Sequence, residues 1–512
     1  MPSYLSPGVY VEEVQTGARP IEGVGTAVAA FVGFAGQGPF HQPTLVTNWD
    51  QYARTFGGFD ADNYLGHAVY GYFANGGGSA YIVRVGGPRD GTAVPVERPA
   101  PTPVQLGTLT IAALPATGAD VTVEVADVDG DNPPEDRFRL LVSQGGQVVE
   151  TFDVSTRRNV RSYVVTQVNE RSKLIQVTEQ PDGPLARPDK QTVTVPAAPQ
   201  LPATPAAKGR FDTAEYVGGL ADRTGFGGLE TIDEVTMVAV PDLMSAYQRG
   251  LIDAEAVRTV QLAVISHCEQ MGDRVAVLDT PPGLGAQQVR DWRMDEAGYD
   301  SRYAALYYPW ISVFDPASGR NRMVPPSGHV AGVWARSDAE RGVHKAPANE
   351  VIRGAVDLEL ALSKGEQDLL NPVGVNCIRP FPGRGIRIWG ARTLTSDPAW
   401  RYLNVRRLFN FLEESVLVGT QWVVFEPNDD RLWSSIRRNI SAFLNEQWRA
   451  GALFGRTPDE AFYVKCDREN NPRESIDLGQ VVCEIGVAPV KPAEFVVFRL
   501  SQFTDSTSLI NE

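Results

Sequence analysis

Residue types that build metal and redox sites are scarce in this sequence. Its four cysteines, Cys268, Cys377, Cys466 and Cys483, lie far apart and form no CxxC pair. Zinc sites need cysteine or histidine at short spacings, and disulfide frameworks are typical of small secreted chains. The five histidines include no HExxH pair. We therefore expect reduced, buried thiols and no metal site.

Motifs that bind nucleotides or mark a hydrolase are also missing. The chain has no GxxxxGK followed by Ser or Thr and no GxSxG. The nearest approach to GxGxxG, at residues 283–288, has glutamine at the last position, where the motif needs a small residue. The acidic run at 127–132 lacks the glutamate that a calcium loop places six residues after its glycine. The sequence accordingly predicts no cofactor and no catalytic residues.

Basic charge and long apolar runs are limited too. The formal charge of -15 leaves no general basic surface to displace counterions from phosphates, so we expect no nucleic-acid partner. The N-terminus MPSYLSPGVY lacks a basic segment, and the first apolar run, at 24–36, is too short and glycine-rich to span a bilayer. We expect no membrane insertion and a product kept in the cytoplasm of the producing cell.

What the sequence does contain is the pattern of a large α/β protein. Apolar residues make up 43% of the 512, enough for two to four domains with ordinary cores. Apolar strands alternate with amphipathic helices over 25–86 and again after 211, a pattern typical of a parallel sheet covered on both faces. Strands are predicted at 26–34, 80–85, 234–242, 274–281 and 304–314, and helices at 64–76, 253–271, 286–298, 347–362, 399–418 and 430–450.

The stretch at 89–210 differs from both flanks. Apolar and polar residues alternate at 121–125 and 138–142, Gly145-Gly146 can turn the chain, and the borders are rich in proline and alanine. These features predict an antiparallel β-domain inserted into the α/β body through stiff linkers.

Both ends of the chain carry strand-like segments that lack a core of their own. Near the start, Val9-Tyr10-Val11 stands among prolines and glycines; near the end, Phe495-Val496-Val497-Phe498 and Leu500 place apolar groups on both faces of one segment. An exposed strand of this kind is an aggregation hazard. Either it is the central strand of its own sheet, or neighbouring subunits complete its surroundings.

A string at 332–350, GVWARSDAERGVHKAPANE, has no catalytic sense but resembles the signature of contractile tail sheath proteins, the sleeves of phage tails and phage-like injection systems. Further segments resemble the same family in the same order: SPGVYVEEV, GGLETIDEVTMVAVPD, IWGARTL, YLNVRRLFNFLEES, EPNDDRLWSSIRR and IGVAPVKPAEFVVFRLSQF. The resemblance covers the first forty residues and most of the chain after 215, but not the insertion.

The resemblance implies an architecture and a mechanism. Six subunits form a ring, rings stack as a helix around an inner tube protein, baseplate and terminator or cap proteins bind the ends, and both arms add strands to sheets of adjacent subunits. Contraction then drives the tube through a target envelope without consuming a nucleotide. The implied organisation is an N-terminal arm at 1–22, an α/β sheath domain at 23–88 and 211–370, an outer domain at 89–210, a C-terminal sheath domain at 371–490 and a C-terminal arm at 491–512.

One helical segment carries candidate residues for the contact with the inner tube. Arg431, Arg437, Arg438 and Arg449 are hypothesised to supply a basic face toward it, although an ordinary solvated helix would look the same. Two other functions stay open: an α/β enzyme with a polar pocket near Pro241 or Thr280, and another polymeric structural protein.

Overall fold

The computed structural model describes residues 20–86, 104–113, 120–128, 134, 136–145, 147–158, 160, 162–172, 174–179, 187–196 and 212–498. The chain forms two compact units, one of residues 90–209 and one of residues 1–89 with 210–512. Both contain strands and helices, so the α/β class expected from the sequence holds for the described chain. The predicted arm residues Val9, Tyr10, Val11 and Leu500 lie outside the described residues.

The first part of the larger unit supplies three strands and two helices. Asn48 caps the first helix because its side chain accepts from the Gln51 N–H, and Gly57, with a φ of 101°, ends it in the left-handed region. The elements are β1 (Val28–Gly33), β2 (Thr44–Val46), α1 (Trp49–Phe56), α2 (Leu65–Ala74) and β3 (Ser79–Arg84).

The unit of residues 90–209 contains two antiparallel sheets, with strand orders β10-β6-β7-β8 and β4-β5-β9. These strands form because apolar and polar residues alternate along them, so that one face of each strand is apolar. On β7, Phe138, Leu140 and Val142 point into one core and are fully buried. Its elements are β4 (Val104–Leu106), β5 (Leu109–Ala113), β6 (Val121–Ala126), β7 (Arg137–Gln144), β8 (Gln147–Ser155), α3 (Val164–Arg171), β9 (Ile175–Glu179) and β10 (Thr192–Val195).

After residue 212 the larger unit resumes and completes its main sheet. The elements are α4 (Ala214–Val217), β11 (Met237–Ala239), α5 (Asp242–Gln248), α6 (Ala254–Met271), β12 (Val275–Asp279), α7 (Ala286–Asp291), β13 (Ala304–Tyr308), β14 (Ile311–Asp315), β15 (Arg320–Val324), α8 (Ser327–Arg341), β16 (Glu350–Val351), β17 (Ala355–Leu358), α9 (Lys364–Leu370), β18 (Val375–Phe381) and β19 (Gly385–Ile388).

A nine-stranded sheet with the order β16-β19-β18-β13-β12-β11-β1-β3-β2 forms the centre of this unit. The run from β3 to β18 is parallel, and antiparallel strands close both edges. Because helices cover both faces, strands such as β12 and β13 are buried along their whole length. Strands β18 and β19 lie in this sheet, although the sequence places the start of the C-terminal domain before them, at 371.

Two of the predicted elements are wrong. The helix predicted over 347–362 is instead the pair β16 and β17, because Gly354 adopts a φ of 87° and β17 pairs with β14. The single strand predicted over 304–314 is two strands in different sheets: β13 belongs to the nine-stranded sheet and β14 to a three-stranded sheet with β15 and β17. Pro309, which has no backbone N–H to donate, separates them.

The C-terminal part of the larger unit packs around a core of its own. It consists of α10 (Leu403–Thr420), α11 (Asp430–Arg449), α12 (Pro458–Ala461), β20 (Phe462–Lys465), α13 (Arg473–Asp477) and β21 (Glu484–Val487). Asp429 caps α11 by accepting from the N–H groups of Arg431 and Leu432. The apolar stripe of α11, including Trp433, Ile440 and Phe443, is buried, so the opposite face is left to solvent or to a partner.

Candidate assembly surfaces

The carboxyl edge of the parallel strands, where α/β folds bind ligands, is filled by side chains. Asp242, the first residue of α5 and shortly after β11, is fully buried and accepts hydrogen bonds from the N–H of Phe34 at 2.7 Å, of Leu65 at 3.2 Å and of Tyr64. Burial raises the pKa of Asp242 to about 7, against the effect of these hydrogen bonds. The carboxyl group thus caps α2 beside Pro241, at the crevice between β1 and β11 that a ligand would need.

The second predicted location for an enzyme pocket is closed as well. Thr280 is fully buried, and Asp279 accepts from the Ser327 N–H at 2.9 Å and from its hydroxyl at 2.5 Å. The cavity beside Asp279 has a volume of about 10 Å³, which holds one water at most. Within the described chain, neither location predicted for the enzyme alternative offers a polar pocket.

A larger groove, of about 370 Å³, lies at the opposite, amino edge of the strands. Its floor is apolar, with Val28 and Phe411, and carboxylates stand around it. Burial, followed by the charges of Asp273 and Asp233, raises the pKa of Glu414 there. The groove has no nucleophile paired with a base among its lining residues, so it offers no acyl-transfer chemistry.

The signature string at 332–350 forms a structural junction. Arg336, in the second half of α8, donates to the Asn75 carbonyl at 2.9 Å and to the Val351 carbonyl at 2.5 Å. Asp338 binds Arg407 of α10 through two hydrogen bonds of 2.9 and 2.6 Å, and both side chains are almost fully buried. The string therefore joins α2, β16 and α10. Its polar residues Arg336 and Asp338 make structural contacts, which is why the string matches no catalytic motif.

The same junction fixes the start of the described chain. Arg407 donates to the Thr26 carbonyl at 3.0 Å, and the Val24 N–H donates to the Ser415 hydroxyl at 3.1 Å. A Cβ on Gly23 would lie 2.8 Å from the Phe411 ring, so only glycine allows this close approach. Residues 21–26 consequently run along α10.

The C-terminal segment is clamped to the body at a single acidic residue. Glu494 receives hydrogen bonds from Arg392 at 2.8 and 2.7 Å, from Asn371 at 3.0 Å and from the Tyr402 hydroxyl at 3.2 Å. Burial acts to raise the pKa of Glu494, but the Arg392, Asn371 and Tyr402 contacts outweigh it and hold the pKa below its usual value. Sequence reasoning missed this clamp.

Directly after the clamp, apolar side chains stand in solvent. Phe495, Val496, Val497 and Phe498 are between 67% and 84% exposed, and none belongs to a strand. Such a contiguous exposed apolar run is unusual on a monomer and typically marks a contact with another molecule. Of the two alternatives left open by the sequence, a central strand of its own sheet is not what residues 495–498 form.

Close to this segment in sequence is a sheet with open edges. Strands β20 and β21 pair with each other from Phe462–Val487 to Lys465–Glu484, and within the described residues neither pairs with another strand. Open edges offer unpaired N–H and C=O groups. Tyr463 packs its ring on Gly486, where an added Cβ would lie 2.1 Å away, and donates to Glu484 at 2.8 Å, which fixes the register of the pair.

Helix α11 presents three of the four candidate arginines on one face. At 100° per residue, Arg431, Arg438 and Arg449 lie within about 20° of one another, whereas Arg437 lies about 100–120° away from them. All four are exposed, and Arg437 donates to the Cys466 carbonyl at 3.3 Å. Across the described chain, Arg431, Arg438 and Arg449 form no ion pair, so the stripe has uncompensated positive charge.

The described residues contain neither a membrane-spanning helix nor a cluster of metal ligands. No helix there has the length and apolar character needed to cross a membrane. Nor do the described histidines, cysteines and acidic residues form a group of three that could hold a metal ion.

Comparison with known proteins identifies the family. The model of the phage tail sheath protein central domain matches residues 229–394, and that of the phage tail sheath C-terminal domain matches residues 395–503. Together they match more than half of the chain.

Individual relatives are distant. The tail sheath protein of Burkholderia phage BcepMu is 26% identical over 98% of this chain and 96% of its own length. That of Vibrio phage KVP40 is 27% identical over 51% of this chain, which spans only 42% of the length of the KVP40 protein.

Solved structures have the same fold. The sheath complex of the extracellular contractile injection system PVC, in its contracted state, gives a TM-score of 0.59 at 23% identity, over 98% of this chain and 99% of that one. The helical sheath of the anti-feeding prophage, also contracted, gives 0.59 at 23% identity, over 98% and 100%. The resemblance read from the signature string is confirmed: the chain belongs to the contractile tail sheath family.

Proposed function

We propose that this chain is a structural subunit of a contractile sheath. Copies polymerise as stacked hexameric rings around an inner tube, and contraction of the stack drives the tube through a target envelope. Family membership supports this function, as does the fold shared with sheath complexes solved in a contracted state. The chain works by assembly, without catalysis or a cofactor.

The observation that carries the proposal is the exposed apolar run after Glu494. Burying each of Phe495, Val496, Val497 and Phe498 would contribute about 1.5–3 kcal/mol, so the four together favour association by several kcal/mol before ordering costs. In a single copy these side chains stay in contact with water, so this stabilisation is not gained. A neighbouring copy that covers both faces of the segment provides it.

The β20–β21 sheet is the proposed acceptor. An arm from another copy that pairs with an open edge satisfies the free N–H and C=O groups there, and the arm's alternating side chains then bury on both faces. Residues 9–11 and Leu500 take part in the same exchange. The arms, at 1–22 and 491–512, keep neighbouring subunits linked while the rings move.

The remaining divisions follow the sequence-based organisation. Residues 23–88 and 211–370 form the α/β sheath domain, 371–490 the C-terminal sheath domain, and the antiparallel insertion at 89–210 an outer domain. One of the similar solved structures is that of the anti-feeding prophage baseplate, which supports a baseplate partner here, beside the inner tube and the terminator or cap proteins. Subunits are made in the cytoplasm of the producing cell and are neither inserted into membranes nor bound to nucleic acid.

The stripe of Arg431, Arg438 and Arg449 is the proposed tube-facing surface. Three unpaired guanidinium groups on one helix face attract a surface that carries carboxylates, and the contact can slide because exposed charge pairs are weak individually. The fourth candidate, Arg437, lies on another face of α11 and contributes to the local packing of Cys466.

Truncation tests the function. Full-length protein is expected to form hollow helical cylinders in negative-stain electron microscopy, whereas a chain ending at Glu494 should stay monomeric with an unchanged melting temperature. Val148→Ser with Val149→Ser serves as the control, since it removes exposed apolar groups of the other unit and should leave the cylinders intact. Cylinders formed by the truncated chain would contradict the proposal, as would a full-length chain that stays monomeric at every concentration.

A further inference from the structure

Two of the four cysteines face each other at one end of the β20–β21 sheet. The ladder pairs Lys465 with Glu484, and extending the register by one residue places Cys466 opposite Cys483. Opposed residues of antiparallel strands have Cα atoms about 4.5–5.5 Å apart, which lies within the 4.4–6.8 Å that a disulfide requires. The backbone therefore already has the spacing of a disulfide, although both thiols are free.

The chain on each side of the pair is fixed by asparagine side chains. Asn470 donates to the Lys465 carbonyl at 2.7 Å, directly before Cys466. Asn471, which is 2% exposed, accepts from the Val482 N–H at 2.6 Å and donates to the Val482 carbonyl at 2.9 Å, directly before Cys483. Neither cysteine backbone has to move far for a bond to form.

The two thiols differ in access. Cys466 is fully buried in the core beneath the sheet, whereas Cys483 is half-buried and packs against the edge of the same core. The side chains lie within hydrogen-bonding reach of each other. Burial, followed by the neighbouring Cys466, raises the pKa of Cys483 to about 12, and burial raises that of Cys466. A reagent in solution meets Cys483 first and reacts slowly.

We propose that Cys466 and Cys483 are a redox-active pair, which a small disulfide such as oxidised glutathione converts into an intramolecular disulfide. The Cys483 thiolate attacks the reagent, so that one glutathione thiol leaves and a mixed disulfide forms. The Cys466 thiolate then attacks the Cys483 sulfur and releases the second glutathione thiol. The two cysteines lose two protons and two electrons, and the reagent gains both as two thiols.

The new bond acts on the sheet itself. It closes the loop from 466 to 483, which contains α13, and covalently joins the end of β20 to the start of β21. With the bond in place, β20 and β21 keep their register, and the outer edge of each strand stays open. Since both thiols belong to one chain, the reaction takes place whether or not copies assemble.

Mass spectrometry of the full-length chain tests the pair. The protein is incubated with oxidised glutathione at pH 8, denatured and alkylated with N-ethylmaleimide. Two of the four thiols should escape alkylation. Without alkylation, the oxidised protein should be about 2 Da lighter than its reduced form. Peptide mapping should then find Cys466 linked to Cys483. Dithiothreitol should restore four alkylated thiols.

Variants distinguish this pair from a general loss of thiols. Cys483→Ser should leave Cys466 reduced, while Cys268→Ser and Cys377→Ser, which alter buried thiols of the main body, should still form the bond. Because the pKa of Cys483 is about 12, the rate in the folded protein should rise about tenfold per pH unit between pH 7 and 9. Four alkylated thiols after prolonged incubation at pH 9, or a reaction that stops at glutathione on Cys483, would overturn the proposal.

Discussion

Arg392 and Glu494, 102 residues apart in sequence, form a bidentate ion pair immediately before four exposed apolar residues. The planar guanidinium matches both carboxylate oxygens, so the pair sets the direction as well as the position of the chain. The body therefore determines the point from which the C-terminal arm departs.

Neutralising the clamp should loosen the arm without unfolding the body. Glu494→Gln keeps the shape but loses the charge, and we expect a stability loss of about 1–2 kcal/mol with impaired cylinder formation. Limited proteolysis should cut near residue 494 faster in the variant. Lys190→Gln, which removes an exposed contact to Asp127 in the other unit, is the control and should behave as wild type.

The clamp should also respond to acid. The pKa of Glu494 lies below its ordinary value of 4.5 in the folded chain, so its contribution is present above that value and is lost as the pH falls through the folded pKa. Proteolysis at the arm by an acid-active protease should thus accelerate in wild type as the pH falls below 4.5, whereas Glu494→Gln should show no such step. An identical profile for both proteins would contradict the clamp.

Adjacent arginines on α11 test the tube-facing surface. Arg438→Glu reverses charge on the stripe and should weaken cosedimentation with assembled inner tubes roughly tenfold, because like charges would then meet. Arg437→Glu makes the same change about 100° away from Arg438 around the helix and should have little effect. The difference in tube binding between the two variants should become smaller at 0.5 M salt, because charges are then screened within a few ångströms. Equal loss in both variants would point to folding rather than contact.

Asp279 should make the protein less stable as the pH rises. Its pKa is about 7 in the folded state against 3.8 unfolded, so its stabilising contribution is complete below about pH 4 and is lost as the pH rises through 7. Asp279→Asn can still accept from the Ser327 N–H and donate to its hydroxyl. We expect this variant to gain on the order of 3 kcal/mol relative to wild type between pH 4 and 8, measured by urea unfolding. Asp222→Asn, at an exposed turn, should leave the pH profile unchanged.

Two glycines of α8 allow it to pack closely against α2. A Cβ on Gly332 would lie 2.4 Å from the Tyr72 carbonyl oxygen, and one on Gly328 would lie 2.3 Å from the Ala68 Cα. Gly332→Ala should therefore cost about 3 kcal/mol, because backbone cannot yield as a side chain does. Gly365→Ala in α9, where a Cβ would meet nothing within 4 Å, should instead gain about 0.5 kcal/mol. Thermal unfolding of the two variants gives the comparison, and equal melting temperatures would refute it.

Much of the fold could be predicted from the pattern of apolar residues. The strands at 275–279 and 304–308 and the helices α6, α10 and α11 were predicted because burial on one or both faces leaves a period in the sequence. The errors come where tertiary contacts override that period. Residues 347–362 carry apolar groups at spacings that suit a helix, but Gly354 and the pairing of β17 with β14 impose strands.

Local composition and residue order were enough to predict the α/β class, the alternating strands of residues 89–210, the apolar character of the C-terminal segment and the family. Folding of the chain established the other relationships. It placed Asp242 in the crevice that a ligand would need, brought Arg392 to Glu494, separated Arg437 from the other arginines and set Cys466 opposite Cys483. These relationships depend on distances between residues far apart along the chain, and such distances exist only once the chain has folded.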